Sequence, residues 1–347
     1  MRFRAIYIVK ETKMKYVGFL LVGICSLLLS VCSCVSGGGG ARPILGVSQP
    51  PVFLSVRAVS ETEVEFAFSK PVELSSLSFD PPLSVESMES GSTVRVSFGG
   101  GLGPGERVTA DFVAADENGN TISVLVPFRT RNDRLPPLRI TELRTDYSRP
   151  RAEFVELRAF GAGNLGALRV FIAGNARSPL VYEFPSVEVA DGEYVTLHLR
   201  QMEDGNRDEL GADLAESGGR GASPTGRDLW VPGTVKLLRR TDIVYLLDQD
   251  GRVVDAVALS ENPGAEWGRS NLADAAEFLF RAGAWQSADG LAIRPSDAVR
   301  TAGTTVTRTI NRDETLGENS RSPADWYITA TGGATAGRPN NPRRHGD

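Results

Sequence analysis

Two glutamates inside apolar strand patterns are the residues of this chain best suited to acid–base chemistry. Glu142 lies in the alternating segment 138–143, and Glu156 lies in a second such segment, 152–157. Two carboxyls whose surroundings separate their pKa values can act as acid and base in one reaction. In the structural alternative, one or both accept backbone hydrogen bonds or pair with an arginine such as Arg308.

Histidine chemistry has two candidates, because the chain contains only His198 and His345. A Ser-His-Asp triad or a zinc site requires an imidazole that is held by defined partners. His198 lies in the predicted strand 194–199, where we expect it at a surface or boundary position. The sequence has no Gly-x-Ser-x-Gly motif, and all three cysteines precede residue 35. We therefore assign no catalytic residue, no metal ligand and no cofactor.

Three short segments imitate ligand-binding motifs. Residues 161–166 spell Gly-x-Gly-x-x-Gly, but a strand pattern follows where a dinucleotide site requires a helix, so we predict a turn. Residues 116–120 offer oxygen ligands to calcium, yet Asn118-Gly119 favours a tight hairpin. Residues 204–209 begin like a calcium loop, but Glu209 stands where that loop requires glycine. We interpret this last segment as part of a long polar loop.

The N-terminal segment has the composition of a signal sequence. Met14-Lys15 precede fifteen uncharged residues, then Cys32-Ser33-Cys34 and, after two more residues, four glycines. A helix of fifteen residues spans about 22 Å, less than the roughly 30 Å of a hydrocarbon core, so it fits a signal-peptide core better than a membrane span. The segment resembles bacterial lipoprotein signals, in which a small residue such as Ser33 precedes the modified cysteine. The resemblance implies a signal peptide at 1–33 and lipidation of Cys34, with Cys32 as the alternative. Because Met14-Lys15 is the better start for the basic region of a signal, we predict that translation begins at Met14.

Residues 34–50 then form the lipidated cysteine and a glycine-rich tether. We expect an extracytoplasmic protein that its lipid anchors to the cell envelope, at the inner membrane, the outer membrane or the cell surface. Loss of residues 1–33 removes five basic residues and one acidic residue, which moves the net charge from −5 to −9. An acidic body without a basic run argues against a nucleic-acid partner. The expected partners are the membrane, through the lipid, and a protein.

Alternation with period 2 dominates the rest of the chain and predicts an all-β protein. Predicted strands separated by turns rich in proline, glycine and asparagine occupy 51–132. The segments that match a known family there are 64–72, 102–105, 116–120 and 128–130. They resemble a bacterial immunoglobulin-like domain, which implies a sandwich that serves as a spacer or interaction module. Residues 133–137 are the predicted linker.

Five short sequence features occur in order through residues 138–342. They are the strand 153–157, the turn and Val-Asp strand at 248–257, Arg308, Asp325-Trp326 and the Gly-x-x-Asn at 337–340. Together they resemble the lamin-tail domain, an immunoglobulin-like sandwich, and the resemblance implies a structural role for the strand glutamates. The chain departs from that pattern around 271–302 and by a long loop insertion at 200–232. We expect this loop to be mobile or to contact a partner, with Trp230 as a candidate contact residue. Residues 343–347 form a tail.

Residues 271–284 are the segment with helical periodicity. Apolar side chains at i, i+3, i+4 and i+7 share one face, and they are Leu272, Ala275, Ala276 and Leu279. This predicts one short helix near 272–283, capped by Asn271 and ended by Gly283. Its apolar face packs on the core or, in the alternative, on a partner.

The sequence thus predicts two immunoglobulin-like antiparallel β-sandwiches in tandem after a lipoprotein signal peptide, a combination that resembles spirochaetal lipoproteins of treponemal type. We expect a non-catalytic cell-envelope protein that presents both modules for interaction or scaffolding. The alternative is an accessory module that recruits a secreted hydrolase of the nuclease or phosphatase type, because bacterial lamin-tail-like domains resemble appendages of such enzymes.

Overall fold

A computed structural model describes residues 49–100, 102–175, 177–264, 266–317 and 319–346. Strands make up about 40% of the described residues and one short α-helix accompanies them there, which confirms the predicted all-β sandwich-type fold. The predictions for the signal peptide, Met14, Cys32, Cys34 and most of the tether lie outside the described residues.

The chain divides into two compact units, each described separately below. The first contains Glu63–Gly99 and Val108–Phe128 together with the chain up to Arg57. The second contains Ala58–Thr62, Gly100–Arg107 and Arg129–Asp347. The domain and linker boundaries given above stay predictions.

The first unit is built on six strands. These are β1 (Phe53–Ser60), β2 (Glu63–Asp80), β3 (Val85–Met88), β4 (Gly91–Phe98), β5 (Arg107–Ala115) and β6 (Thr121–Arg129). The order is β3-β4-β2-β5-β6, with β1 also paired to β2. The first part of β2 pairs with β4 and its last part pairs with β5, with register shifts in both ladders. One long strand therefore contributes to both halves of this unit.

The core of the first unit is rich in phenylalanine. The rings of Phe66 and Phe112 have centroids 4.9 Å apart and meet edge to face, a geometry that the quadrupole of aromatic rings favours. Residues 116–120 form the predicted hairpin, with the Asp116 N–H donating to the Asn120 carbonyl at 3.0 Å. Gly119 has φ +80°, the left-handed conformation that glycine adopts most easily. Hydrogen bonds from the side chain and backbone of Asn120, opposed by burial, lower the pKa of Asp116 to about 2.

The described part of the second unit contains thirteen strands, one α-helix and two short 3₁₀ helices, Pro295–Asp297 and Pro323–Asp325. The strands and the α-helix are β7 (Leu138–Arg144), β8 (Phe154–Ala159), β9 (Gly163–Asn164), β10 (Arg169–Ile172), β11 (Leu180–Glu183), β12 (Glu188–Val189), β13 (Tyr194–His198), β14 (Arg227–Trp230), β15 (Asp242–Leu247), β16 (Val253–Ser260), α1 (Ser270–Arg281), β17 (Val299–Arg300), β18 (Ile310–Arg312) and β19 (Trp326–Ile328). One sheet has the order β14-β13-β8-β7-β18-β19, a second has the order β11-β10-β15-β16-β17, and β12 pairs with β9. Apolar side chains from both large sheets share one core.

The segment 200–232, predicted to be a loop, contains strand β14. This strand pairs with β13 in parallel, with Val195 opposite Arg227 and His198 opposite Trp230. A parallel pair cannot be joined by a tight hairpin, so the chain between the two strands must make a long crossover. The insertion therefore extends a main sheet of the second unit.

Helix α1 confirms the predicted short helix and its buried face. Its four apolar positions, from Leu272 to Leu279, are all buried against the core. The predicted cap is wrong, because Arg269 occupies the N-cap position and the Asn271 amide instead donates to the Ala173 carbonyl at 2.5 Å. Gly283 follows the helix with φ +61°, as expected for a residue that ends it. In the described part of the chain, no helix combines the length and the apolar character needed to cross a membrane.

Candidate functional site

The two strand glutamates lie side by side in the second unit. The antiparallel register of β7 and β8 places Glu142 opposite Glu156, and both side chains are fully buried. We call these two residues the carboxyl pair. Since a buried carboxylate is costly unless it is well hydrogen-bonded, the donors around the pair determine what it can do.

Donors from the C-terminal part of the chain reach both glutamates. The Gly337 N–H donates to Glu156 Oε2 at 2.6 Å, and the Thr141 hydroxyl donates to Glu156 Oε1 at 2.9 Å. The Thr335 hydroxyl donates to Glu142 Oε2 at 2.9 Å, and its N–H lies within 3.2 Å of both Glu142 oxygens. These contacts match the structural alternative in which the glutamates accept backbone hydrogen bonds.

The arginine part of that alternative is wrong. Arg308 does not pair with either glutamate; its Nη1 lies 2.7 Å from Nε2 of His345. The cation that acts on Glu142 is the buried Arg144, whose positive charge opposes the rise that burial causes in the pKa of Glu142. Backbone and hydroxyl donors, and not a salt bridge with Arg308, therefore hold the carboxyl pair.

Burial raises the pKa of both glutamates. For Glu156 the pKa lies well above the ordinary glutamate value, because burial acts first and the negative charge of Glu142 acts second. The hydrogen bonds from Gly337 and Thr141 oppose this shift without cancelling it. The pair therefore retains a proton at a pH where an exposed glutamate is ionised.

Residues 335–340, which we call the clasp, cross the edge of this site. Asn340 Nδ2 donates to the carbonyls of Thr141 and Arg312, each at 2.9 Å. Asn340 Oδ1 accepts from the amide of Asn311 at 2.9 Å. The Gly-x-x-Asn motif thus uses its first residue to bind Glu156 and its last to bind β7 and β18.

His198 is at the centre of a second buried group, which we call the histidine cluster. Its side chain is only 2% exposed, so the expected surface or boundary position is wrong. Nε2 of His198 lies 2.6 Å from Oδ1 of Asp228, and the Trp230 ring stacks on the imidazole with centroids 3.8 Å apart. The Ser223 N–H donates to the other oxygen of Asp228 at 2.6 Å.

Burial lowers the pKa of His198, and the neighbouring Asp228 only partly opposes this. A neutral imidazole beside a carboxylate carries its proton on the nitrogen that faces it, here Nε2, which leaves Nδ1 as an acceptor. Within the described ranges, no hydroxyl or other donor hydrogen-bonds to Nδ1. The cluster thus has the histidine and aspartate of a triad without a positioned nucleophile.

Trp230, the candidate partner-contact residue, lies inside the second unit. Its side chain is 5% exposed, and its indole N–H donates to the Ser217 hydroxyl at 2.9 Å. Its backbone N–H donates to Asp208 at 2.7 Å. The structure thus gives Trp230 a packing role, while its contact with a partner stays a prediction.

The side-chain oxygens of Asn206 and Glu209, in the segment 204–209, accept hydrogen bonds from backbone N–H groups of the same chain. Asn206 Oδ1 accepts from the N–H groups of Met202 and Glu203, and the buried Glu209 carboxylate accepts from those of Ser217 and Asp228. Across residues 49–346, apart from the four undescribed positions, no group of three or more histidine, cysteine or acidic side chains is arranged to hold a metal ion.

Sequence reasoning missed Asp228 and Thr335, which complete the two clusters. Asp228 lies in a four-residue strand, Arg227–Trp230, that follows a glycine-rich stretch. Its parallel partner comes about thirty residues earlier in the chain, so no turn signal connects the two strands. Thr335 lies in a segment without regular structure, and only its nearness to the Gly-x-x-Asn motif could have indicated it.

We expect the histidine cluster to contribute a loss of stability to the second unit on acidification. The pKa of His198 is depressed in the folded state, so its contribution is present above the ordinary value of 6.5 and is lost as pH falls below it. Thermal unfolding of the full chain measured between about pH 7 and about pH 5 tests this contribution. Relative to the unaltered chain, His198→Gln should gain melting temperature as pH falls. His345→Gln, at an exposed position, is the matched control. An unchanged slope in His198→Gln would contradict the prediction.

Comparison with known proteins locates these clusters within a recognised family. A protein-family model named TP_1001_2nd, described as a protein second domain, matches residues 136–328. An uncharacterized protein of Treponema pallidum (strain Nichols) is 29% identical over 195 residues, which cover 53% of this chain and 48% of that protein. The chain therefore spans about half the length of this curated relative. The matched range includes the carboxyl pair and the histidine cluster and ends before the clasp.

Proposed function

The chain belongs to the TP_1001_2nd family, and we propose that it is a lipid-anchored protein of the cell envelope. In this proposal it presents two modules, one immunoglobulin-like and one lamin-tail-like, for interaction or scaffolding, without catalysis. The observation that carries the non-catalytic part of the proposal is that the side chains best suited to catalysis are already hydrogen-bonded within the fold. The carboxyl pair and the histidine cluster are enclosed, and donors of the same chain bind them.

A general acid or base must come within hydrogen-bond distance of its substrate. Both glutamates are fully buried, and their oxygens accept from Gly337, Thr141 and Thr335. A substrate would have to displace these donors before it could reach either carboxyl. Their geometry supports a structural role, in which they fasten the clasp to the central strands.

The experiment that tests the absence of catalysis uses the full chain with a chromogenic phosphomonoester and with DNA as substrates. We expect no turnover above buffer. Turnover that His198→Gln or Glu156→Gln abolishes, while the variant retains its cooperative unfolding transition, would overturn the non-catalytic part of the proposal.

The anchor is supported by the sequence of residues 14–40, where a basic start and an apolar core lead to Cys34. Palmitate labelling of the full chain in a bacterial host tests it. We expect Cys34→Ala to lose the label and to leave the detergent phase in Triton X-114 partition, whereas Cys32→Ala keeps both properties. Loss in Cys32→Ala alone would move the acceptor to the alternative cysteine. Absence of label from the unaltered chain would overturn the anchor.

A further inference from the structure

A pocket of about 610 Å³ lies on the second unit, apart from the carboxyl pair and the histidine cluster. Its lining includes four cationic side chains and two acidic ones, and we call it the cationic pocket. These six residues are Lys236, Arg239, Arg240, Arg269, Asp146 and Glu261. The excess of positive charge is notable because the whole chain is acidic, with a net charge of −5.

One arginine pairs with both acidic side chains of the pocket. Arg240 Nη2 lies 2.8 Å from an oxygen of Asp146, and Arg240 Nη1 lies 3.0 Å from an oxygen of Glu261. Arg240 also donates to the carbonyl of Thr304 at 3.0 Å. Its guanidinium is therefore occupied. Four cations against two acids leave the lining with a charge of 4 − 2 = +2, and the other three cations supply this excess.

Backbone carbonyls, and not carboxylates, hold the two other arginines. Arg239 and Arg269 both donate to the Gly174 carbonyl, at 2.8 Å and 2.9 Å. A further acid beside these arginines is the buried Asp242, whose oxygens accept backbone N–H groups, those of Gly174 at 2.6 Å and Arg239 at 3.3 Å. Burial raises the pKa of Asp242 to about 6. Asp242 is therefore held by the backbone and does not form a salt bridge with either arginine.

Lys236 is the most available cation of the pocket. Its side chain is exposed, and it makes no hydrogen bond or ion pair with any residue that the structure describes. The start of α1 adds to the positive field, because Arg269 at its N-cap supplies no capping side chain and the first turn contains no acidic residue. The N-terminal end of a helix favours a bound anion.

We propose that the cationic pocket binds an organic phosphate, a phosphomonoester carried by a group about as large as a sugar. The pocket volume lies within the range of roughly 300–1,000 Å³ that is typical of small-molecule sites. A bare inorganic ion would leave most of this volume empty. Guanidinium and ammonium groups are the side chains that recognise phosphate oxygens. The phosphate could come from a soluble metabolite or from a lipid headgroup, since both present the same chemistry. The proposal is independent of the lipid anchor and of the non-catalytic role.

Isothermal titration of the full chain with glucose 1-phosphate and with soluble dihexanoyl phosphatidic acid tests this proposal and separates the two sources. We expect at least one of them to bind, and the tighter one identifies the source. Lys236→Glu should weaken that binding by about tenfold or more, since it replaces attraction with repulsion. Arg207→Glu, at another exposed position of the same unit, is the matched control and should bind as the unaltered chain does. No binding of either compound, or equal binding by the two variants, would overturn the proposal.

Discussion

Replacement of Glu156 by alanine is expected to destabilise the second unit by about 3–5 kcal/mol, because each buried donor left without an acceptor costs about 1–3 kcal/mol. The donors in question are the N–H of Gly337 and the hydroxyl of Thr141, which bind Glu156 at 2.6 Å and 2.9 Å. Alanine also leaves a cavity among fully buried side chains. Urea unfolding of the full chain, followed by tryptophan fluorescence, measures the effect, because all four tryptophans lie in the second unit.

Glu156→Gln is the matched variant, since it keeps the shape and one acceptor oxygen. Because burial favours the neutral form of this carboxyl, we expect glutamine to cost clearly less free energy than alanine, about 1 kcal/mol. If glutamine and alanine destabilised the protein equally, the hydrogen bonds of Glu156 would not account for its contribution.

The same variant tests the protonation of the carboxyl pair. The folded pKa values of Glu142 and Glu156 are raised above the ordinary value of 4.5. Their contribution to stability is therefore complete below that value and is lost as pH rises toward the folded values. This contribution has the opposite sign to that of His198, so it is measured as a difference between proteins. Relative to the unaltered chain, Glu156→Gln should gain melting temperature as pH rises above the ordinary value of 4.5. A slope equal to that of the unaltered chain would show that the pair does not retain a proton.

Gly337→Ala is the second substitution with a large expected effect. Gly337 has φ +76°, and a Cβ atom there would lie 2.3 Å from the Ser223 hydroxyl oxygen and 2.5 Å from the Ser223 Cβ. Both the left-handed conformation and the overlap oppose a side chain, so we expect a loss of about 3 kcal/mol or more. The loss should appear as a lower midpoint in urea and as a weaker attachment of the clasp, seen in faster hydrogen exchange of residues 335–340.

Gly332→Ala separates the two causes. Gly332 has nearly the same conformation, φ +78°, but no atom lies within 4 Å of its added Cβ. Alanine there bears only the conformational cost, about 1–2 kcal/mol. If both variants lost the same stability, the close approach of the clasp to Ser223 would not limit the fold.

Local pattern was enough to predict the elements whose partners are near in the chain. The hairpin at 116–120 followed from Asn118-Gly119, and the buried face of α1 followed from the spacing of Leu272 and Leu279. In both cases the residues that decide the conformation are neighbours in sequence. Strand β14 could not be predicted in this way, because its four residues pair in parallel with a strand on the far side of a long crossover.

The candidate site also contains residues that the sequence could indicate and residues that depend on distant partners. Glu142 and Glu156 could be identified as inward acidic residues because they interrupt apolar strands, and the Gly-x-x-Asn motif indicated the clasp through its resemblance to a family. The burial of His198 could not be foreseen, since an alternating strand does not reveal which face is covered. Its cover comes from Asp228 and Trp230, which the crossover brings back to the neighbouring strand.

The clasp also constrains the order in which the second unit can form. Thr335 follows Glu142 by 193 residues, and Gly337 follows Glu156 by 181. Until those donors arrive, the two glutamates remain hydrated and charged in adjacent strands, where like charges repel each other. Contacts between such distant residues also slow folding, because a long loop must close first. The second unit therefore cannot complete its hydrogen bonding to Glu142 and Glu156 until almost all of its chain has been made.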